Sequence, residues 1–118
     1  MLRIVDKAMA VLLALGAVGH TLGSIKAFGD QPVQLLWALS ASALIILVGA
    51  VNLLRTSRHG DRTLAWLAAF GSLSWLVASM AFGVVINNLI DPRVVIFALL
   101  SGGLLAASVR DAVVKPKA

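Results

Sequence analysis

Four long stretches without a charged residue constrain this chain more than any other feature of its sequence. Residues 8–25, 31–54, 63–90 and 94–109 run 18, 24, 28 and 16 positions between consecutive Asp, Lys or Arg residues. A helix needs about 20 predominantly apolar residues to cross a hydrocarbon core about 30 Å thick. The two middle runs meet that length outright. The outer two reach it once Lys26 and Arg110 extend their charged ends toward the headgroups. No segment alternates polar and apolar residues as a membrane β-barrel strand does. The expectation is an all-α polytopic membrane protein. It is one transmembrane domain over 1–118, a four-transmembrane-helix bundle with helices near 5–28, 32–54, 62–87 and 92–114.

Composition excludes the alternatives. Sixty per cent of the 118 residues are hydrophobic and 13% are charged, against roughly 45–50% and about 25% in an ordinary soluble domain. A fold this small cannot hide so much apolar surface from water, and the chain is too hydrophobic for disorder. It has no cysteine, so disulfides, thiolate metal sites and thiol nucleophiles are out. Arg3 and Lys7 ahead of an apolar run resemble the start of a signal peptide. The expectation here is a retained first helix.

The breaks between runs read as helix boundaries. Gly29-Asp30-Gln31-Pro32 combines a stop, an N-cap and a proline suited to the first turn. Asp91-Pro92 repeats the cap and proline, and Gly60-Asp61 the cap alone. Asp30, Asp61 and Asp91 are thereby expected to cap the second, third and fourth helices, leaving no acidic side chain inside the membrane. Basic residues are distributed unevenly. Arg3, Lys7, Arg55, Arg58, Arg62, Arg110, Lys115 and Lys117 fall on one side, Lys26 and Arg93 on the other. The positive-inside rule then places both termini and the 55–62 loop in the cytoplasm. The net charge of +5 follows from that bias and from contact with anionic lipid; no nucleic-acid site is read from it.

Within the runs, His20 is the one residue that can ionise, which makes it a functional candidate. Gly16, His20 and Ser24 share a helix face, and Gly19 and Gly23 form a G-x-x-x-G strip beside it. At about 1.5 Å per residue, His20 lies about 18 Å from the cytoplasmic end of its span. Ser40, Trp75 and Ser101 fall near the same level, so the eight residues Gly16, Gly19, His20, Gly23, Ser24, Ser40, Trp75 and Ser101 are expected to build a polar contact layer. His20 then joins helices by hydrogen bonding, ligates a tetrapyrrole in room left by Gly16, or relays protons or touches a substrate. Trp75, in mid-span, needs an internal partner for its indole N–H. Asn52, Asn87 and Asn88 read as interfacial, and the serines as helix contacts or bonds to their own i−4 carbonyls.

Catalytic motifs are absent: no phosphate-binding loop, nucleophile elbow, zinc-protease helix or paired carboxylates occur. His20 and Ser24 lie on one helix without an acid and lack triad geometry. His59 belongs to the opposite side of the membrane, so no metal site is expected. In length and span number the chain resembles the small multidrug-resistance transporters, whose first helix carries an essential glutamate; no Glu occurs here. The run Gly19-His20-Thr21-Leu22-Gly23 resembles one in small four-helix bacterial membrane proteins described as DoxX-like. The polar stretch that follows the first helix in those proteins is replaced by the tight 29–32 turn. The resemblance implies the four-helix architecture and a bacterial inner membrane, and no activity. The expected function is a non-enzymatic accessory or structural subunit in a respiratory or photosynthetic type of complex, or a homo-oligomer, with structural lipids. A small transporter lined by His20, serines and Asn52 is one alternative; a haem- or chlorin-binding subunit is the other.

Overall fold

The computed structural model describes residues 2–114. Lys115 and Lys117 lie outside them. Four α-helices account for the described chain: α1 Leu2–Phe28, α2 Pro32–Ser57, α3 Arg62–Val85 and α4 Pro92–Val113. All four are long and apolar enough to cross a membrane, and no strand occurs among the described residues. The bundle is elongated, 56 × 23 × 22 Å.

Connections of three, four and six residues force consecutive helices to run antiparallel. The α1–α2 and α3–α4 hairpins pack along most of their lengths, and the two hairpins meet less extensively along the α2–α3 and α1–α4 seams. Close approach within the first hairpin depends on Gly49. A β-carbon there would stand 3.1 Å from the Ala10 carbonyl oxygen and 3.3 Å from the Ala14 side chain. At the middle of the bundle, Ala10, Leu13, Ala17, Ile45, Val48, Trp75 and Leu104 form one buried apolar cluster.

Helix ends depart from expectation in one place. Asp61 accepts a bond from the Leu64 N–H at 2.9 Å, and Asp91 accepts from the Arg93 N–H at 2.9 Å. Asp30 does not cap α2. Its N-cap is Gln31, which makes no side-chain capping bond. With Pro32 as the first helical residue the cap position falls on residue 31, and Asp30 stands one residue too early to reach the free N–H groups. At its C-terminus, α3 closes with Asn87 in the left-handed region (φ 54°). The Asn87 and Asn88 N–H groups bond the Val84 and Gly83 carbonyls at 3.0 and 2.9 Å, a Schellman arrangement with Asn where Gly is commoner.

Candidate functional site

Two polar layers lie above and below the apolar cluster. The first surrounds His20, which is half-buried on α1. Its Nδ1 stands 2.8 Å from the Ser42 hydroxyl of α2. The Thr21 hydroxyl lies 2.9 Å from the same Ser42 oxygen and 2.8 Å from the Ala17 carbonyl. Trp75 of α3 sets its ring edge-on to the imidazole at 6.4 Å between centroids, and Phe97 of α4 packs edge-on to Trp75 at 5.4 Å. This layer joins α1 to α2 by hydrogen bonds. It reaches α3 and α4 only through aromatic contact.

The eight residues expected to share this layer divide. His20, Trp75 and Gly16 belong to it, and Ser42, not singled out beforehand, supplies the hydrogen bond. Ser40 is turned outward and donates to the Leu36 carbonyl at 2.8 Å. It lies two residues from Ser42, about 200° around the helix. Height along a span was readable from residue counting; rotation about α2 was not. Ser24 and Ser101 are buried, and their hydroxyls donate to their own i−4 carbonyls, of His20 and Phe97. Gly19 and Gly23 face away from the other helices: a β-carbon at either would meet nothing within 4 Å. The Trp75 indole nitrogen, on a residue 6% exposed, has no hydrogen-bond partner among the described residues.

The residues around His20 do not fit a tetrapyrrole in the room expected beside Gly16. Phe97 fills that space, with Cε1 2.7 Å from the position of a Gly16 β-carbon. Among the described residues no three His, Cys, Asp or Glu side chains converge.

The second layer lies just outside the charge-free runs and brings together charged residues that the sequence reading leaves unconnected. Asp6 of α1 (2% exposed), Arg55 of α2 (1%) and Asp111 of α4 lie within helices and meet between them. Arg55 Nη1 donates to Asp6 at 3.2 Å and to Asp111. Arg110 donates to Asp6 at 2.7 Å and to Asp111 at 3.1 Å, and Arg3 to Asp111 at 3.0 Å. Arg55 is not a loop residue, because α2 continues three residues past the expected boundary, to Ser57.

Neutral groups extend the network inward. Arg55 Nε donates to the Asn52 side-chain oxygen at 3.3 Å, and that oxygen also accepts from Ser108 at 3.0 Å. The Asn52 amide nitrogen donates to Ser72 at 3.0 Å and to the Val48 carbonyl at 2.9 Å. Asn52, Ser72 and Ser108 are fully buried, so Asn52 faces the inside of the bundle. Arg62 of α3 donates to the Ala112 carbonyl of α4 at 2.8 Å. Every helix contributes. One guanidinium donor, Arg55 Nη2, has no partner among the described residues. In sequence these residues look like ordinary flanking charges, and only helix phase distinguishes them: Asp6, Ala10, Leu13 and Ala17 follow one face of α1.

No family model matches this chain, and no curated protein or solved structure matches it either. Fold and site define a class: an all-α bundle of four membrane-length helices with an internal charged layer at one end.

Proposed function

We propose that this protein is a non-enzymatic integral membrane subunit that works by packing, either in a larger membrane complex of the respiratory or photosynthetic type or as a homo-oligomer. One observation carries the reading: apart from Arg55 Nη2 and the Trp75 indole nitrogen, internal hydrogen bonds engage the buried side-chain polar groups, while a small-residue strip faces outward. The charged layer pairs its carboxylates with arginines, and the inner serines bond to carbonyls or to Asn52. A β-carbon at Gly19 or Gly23, by contrast, would meet nothing of the other helices within 4 Å among the described residues. Close helix approach in membranes favours such strips. The resemblance of residues 19–23 to DoxX-like proteins accords with this reading, as does a bacterial inner membrane.

Orientation follows from charge. The end formed by the α1 N-terminus, the 58–61 turn and the α4 C-terminus carries Arg3, Lys7, Arg55, Arg58, Arg62 and Arg110, and the other end Lys26 and Arg93. This bias supports both termini on the cytoplasmic side. A transport pathway through His20 and Asn52 gains no support, since Leu13, Ala17, Ile45, Val48 and Leu104 pack between the two layers.

Native mass spectrometry of protein gently extracted from its own membranes tests the proposal. The expected result is a mass that includes further polypeptides, reduced to the single chain by Gly19→Leu with Gly23→Leu while helical circular dichroism is retained. A single chain from the unaltered protein, or an assembly indifferent to both substitutions, overturns it.

A further inference from the structure

Three short contacts lead from the His20 ring back to the backbone of its own helix. The imidazole Nδ1 stands 2.8 Å from the Ser42 hydroxyl, that oxygen 2.9 Å from the Thr21 hydroxyl, and Thr21 2.8 Å from the Ala17 carbonyl. Each contact needs one hydrogen, and each hydroxyl owns only one. With the ring proton on Nδ1, Nδ1–H donates to Ser42, Ser42 to Thr21 and Thr21 to Ala17, and every contact is filled. With the proton on Nε2, two hydroxyl hydrogens serve the same contacts, and one pair of acceptors is left face to face. The Ser42 contact with the Ala38 carbonyl, at 3.4 Å, does not rescue the count, because filling it empties a shorter one.

The other ring nitrogen points the same way. Nε2 bonds to none of the described residues and is not among the buried atoms without partners, so it reaches the bundle surface. His20 precedes the end of α1 at Phe28 by eight residues, about 12 Å of helix. An N–H donor turned toward hydrocarbon at that depth would be costly.

We propose that the Ser42–Thr21–Ala17 relay fixes His20 as its Nδ1–H tautomer, and that the Nε2 lone pair is a binding site for an uncharged hydroxyl-bearing molecule entering from the lipid. The hydrogen count selects the ligand class. The bond made by one ring nitrogen sets what the other can do. A lone pair on Nε2 accepts from an alcohol or phenol and rejects a carbonyl or ether oxygen. A metal ion would find no companion ligands, since no three His, Cys, Asp or Glu side chains converge among the described residues. The site rests on the geometry around His20, not on what the chain packs against.

Nitrogen NMR of the full chain, labelled at histidine and held in phosphatidylcholine nanodiscs, reads both halves of the proposal. His59→Gln removes the signals of the other histidine. At mildly alkaline pH, His20 is expected to show a protonated Nδ1 and an unprotonated Nε2. Phenol should move the Nε2 resonance upfield and saturably. Anisole, with the same ring and no donor, should leave it in place. Ser42→Ala removes the acceptor of Nδ1–H and should mix the two tautomers and weaken the phenol response, with the helical spectrum retained; Thr21→Val should do the same to a smaller extent. A protonated Nε2 in the unaltered chain, or tautomers indifferent to Ser42→Ala, overturns the proposal. So does an Nε2 resonance that phenol leaves unmoved or that anisole moves equally. A resonance already displaced before phenol is added, and restored by Trp75→Phe, would assign the lone pair to the indole N–H instead.

Discussion

The two polar layers of this bundle solve the same problem by different means. At the end bearing the chain termini, charges and amides from all four helices interlock through Arg55 and Asn52. At the other end, His20 bonds only to the neighbouring helix of its own hairpin, and the second hairpin answers with aromatic edges. A buried charge without its partner is costly, so the first layer tolerates little rearrangement. A neutral hydrogen bond between helices contributes about 0.6–2 kcal/mol in a membrane, so the second layer can yield. Fixed geometry at the termini and freedom at the far end follow from the chemistry of the two layers.

The largest expected effect is at Arg55. Arg55→Leu leaves Asp6 and Asp111 buried with Arg110 and Arg3 as their remaining partners, and loss of one member of a buried pair costs about 3–5 kcal/mol. Unfolding in detergent by denaturant should show that loss. Asp6→Leu with Arg55→Leu should recover much of it, because the unpaired charge goes with the pair. A loss at Arg55 no larger than that of His20→Ala would erase the contrast between the layers.

Asn52 comes next, and it separates charge from hydrogen bonding inside the first layer. Asn52→Ala removes the acceptor of Ser108 and Arg55 and the donor to Ser72. Groups left buried without partners cost about 1–3 kcal/mol. The same unfolding measurement should place Asn52→Ala below Arg55→Leu. An effect near zero would mean that the charges hold the layer without the amide.

These residues also mark where sequence reading stops. Four spans, their order and two of three aspartate caps were legible because charge-free runs and Asp before a first turn have local causes. Asp6, Arg55 and Asp111 were hidden by their position at the margins of runs, where a charge ordinarily meets headgroups. Their role depends on which face of each helix turns inward, and four-helix packing decides that. The Ser40 and Ser42 exchange has the same origin. A depth estimate finds the right turn of α2 but not the right side of it. Trp75 shows the converse: burial was legible, yet its indole nitrogen ends without the partner that burial ordinarily requires.

His20 provides the third test. His20→Ala and Ser42→Ala should each cost about 0.6–2 kcal/mol, and a double-mutant cycle should find most of it shared, since one hydrogen bond joins them. Additive losses would show that the imidazole is held by Trp75 rather than by Ser42. In that case the second layer would be aromatic in origin, and its difference from the first sharper still.

The smallest effect belongs to the exposed charge at the histidine end. Asp91 caps α4, and its hydrogen bonds from the Arg93 side chain and backbone N–H hold its carboxyl below the ordinary carboxylate range. A pKa lowered by folding contributes stability that is complete above the unfolded value, about 3.9. That contribution is lost as pH falls through the lower folded value. Asp91→Asn keeps the capping oxygen, since Asn and Asp cap about equally well, and removes only the charge. Unfolding followed from pH 7 to pH 3 should therefore show a slight deficit for Asp91→Asn at neutral pH that closes below about pH 4. Because the pair is exposed, added salt should shrink the deficit as well. A deficit that survives both acid and salt would locate the contribution in cap geometry, and the far end of the bundle would then owe nothing to charge, in full contrast to the layer around Arg55.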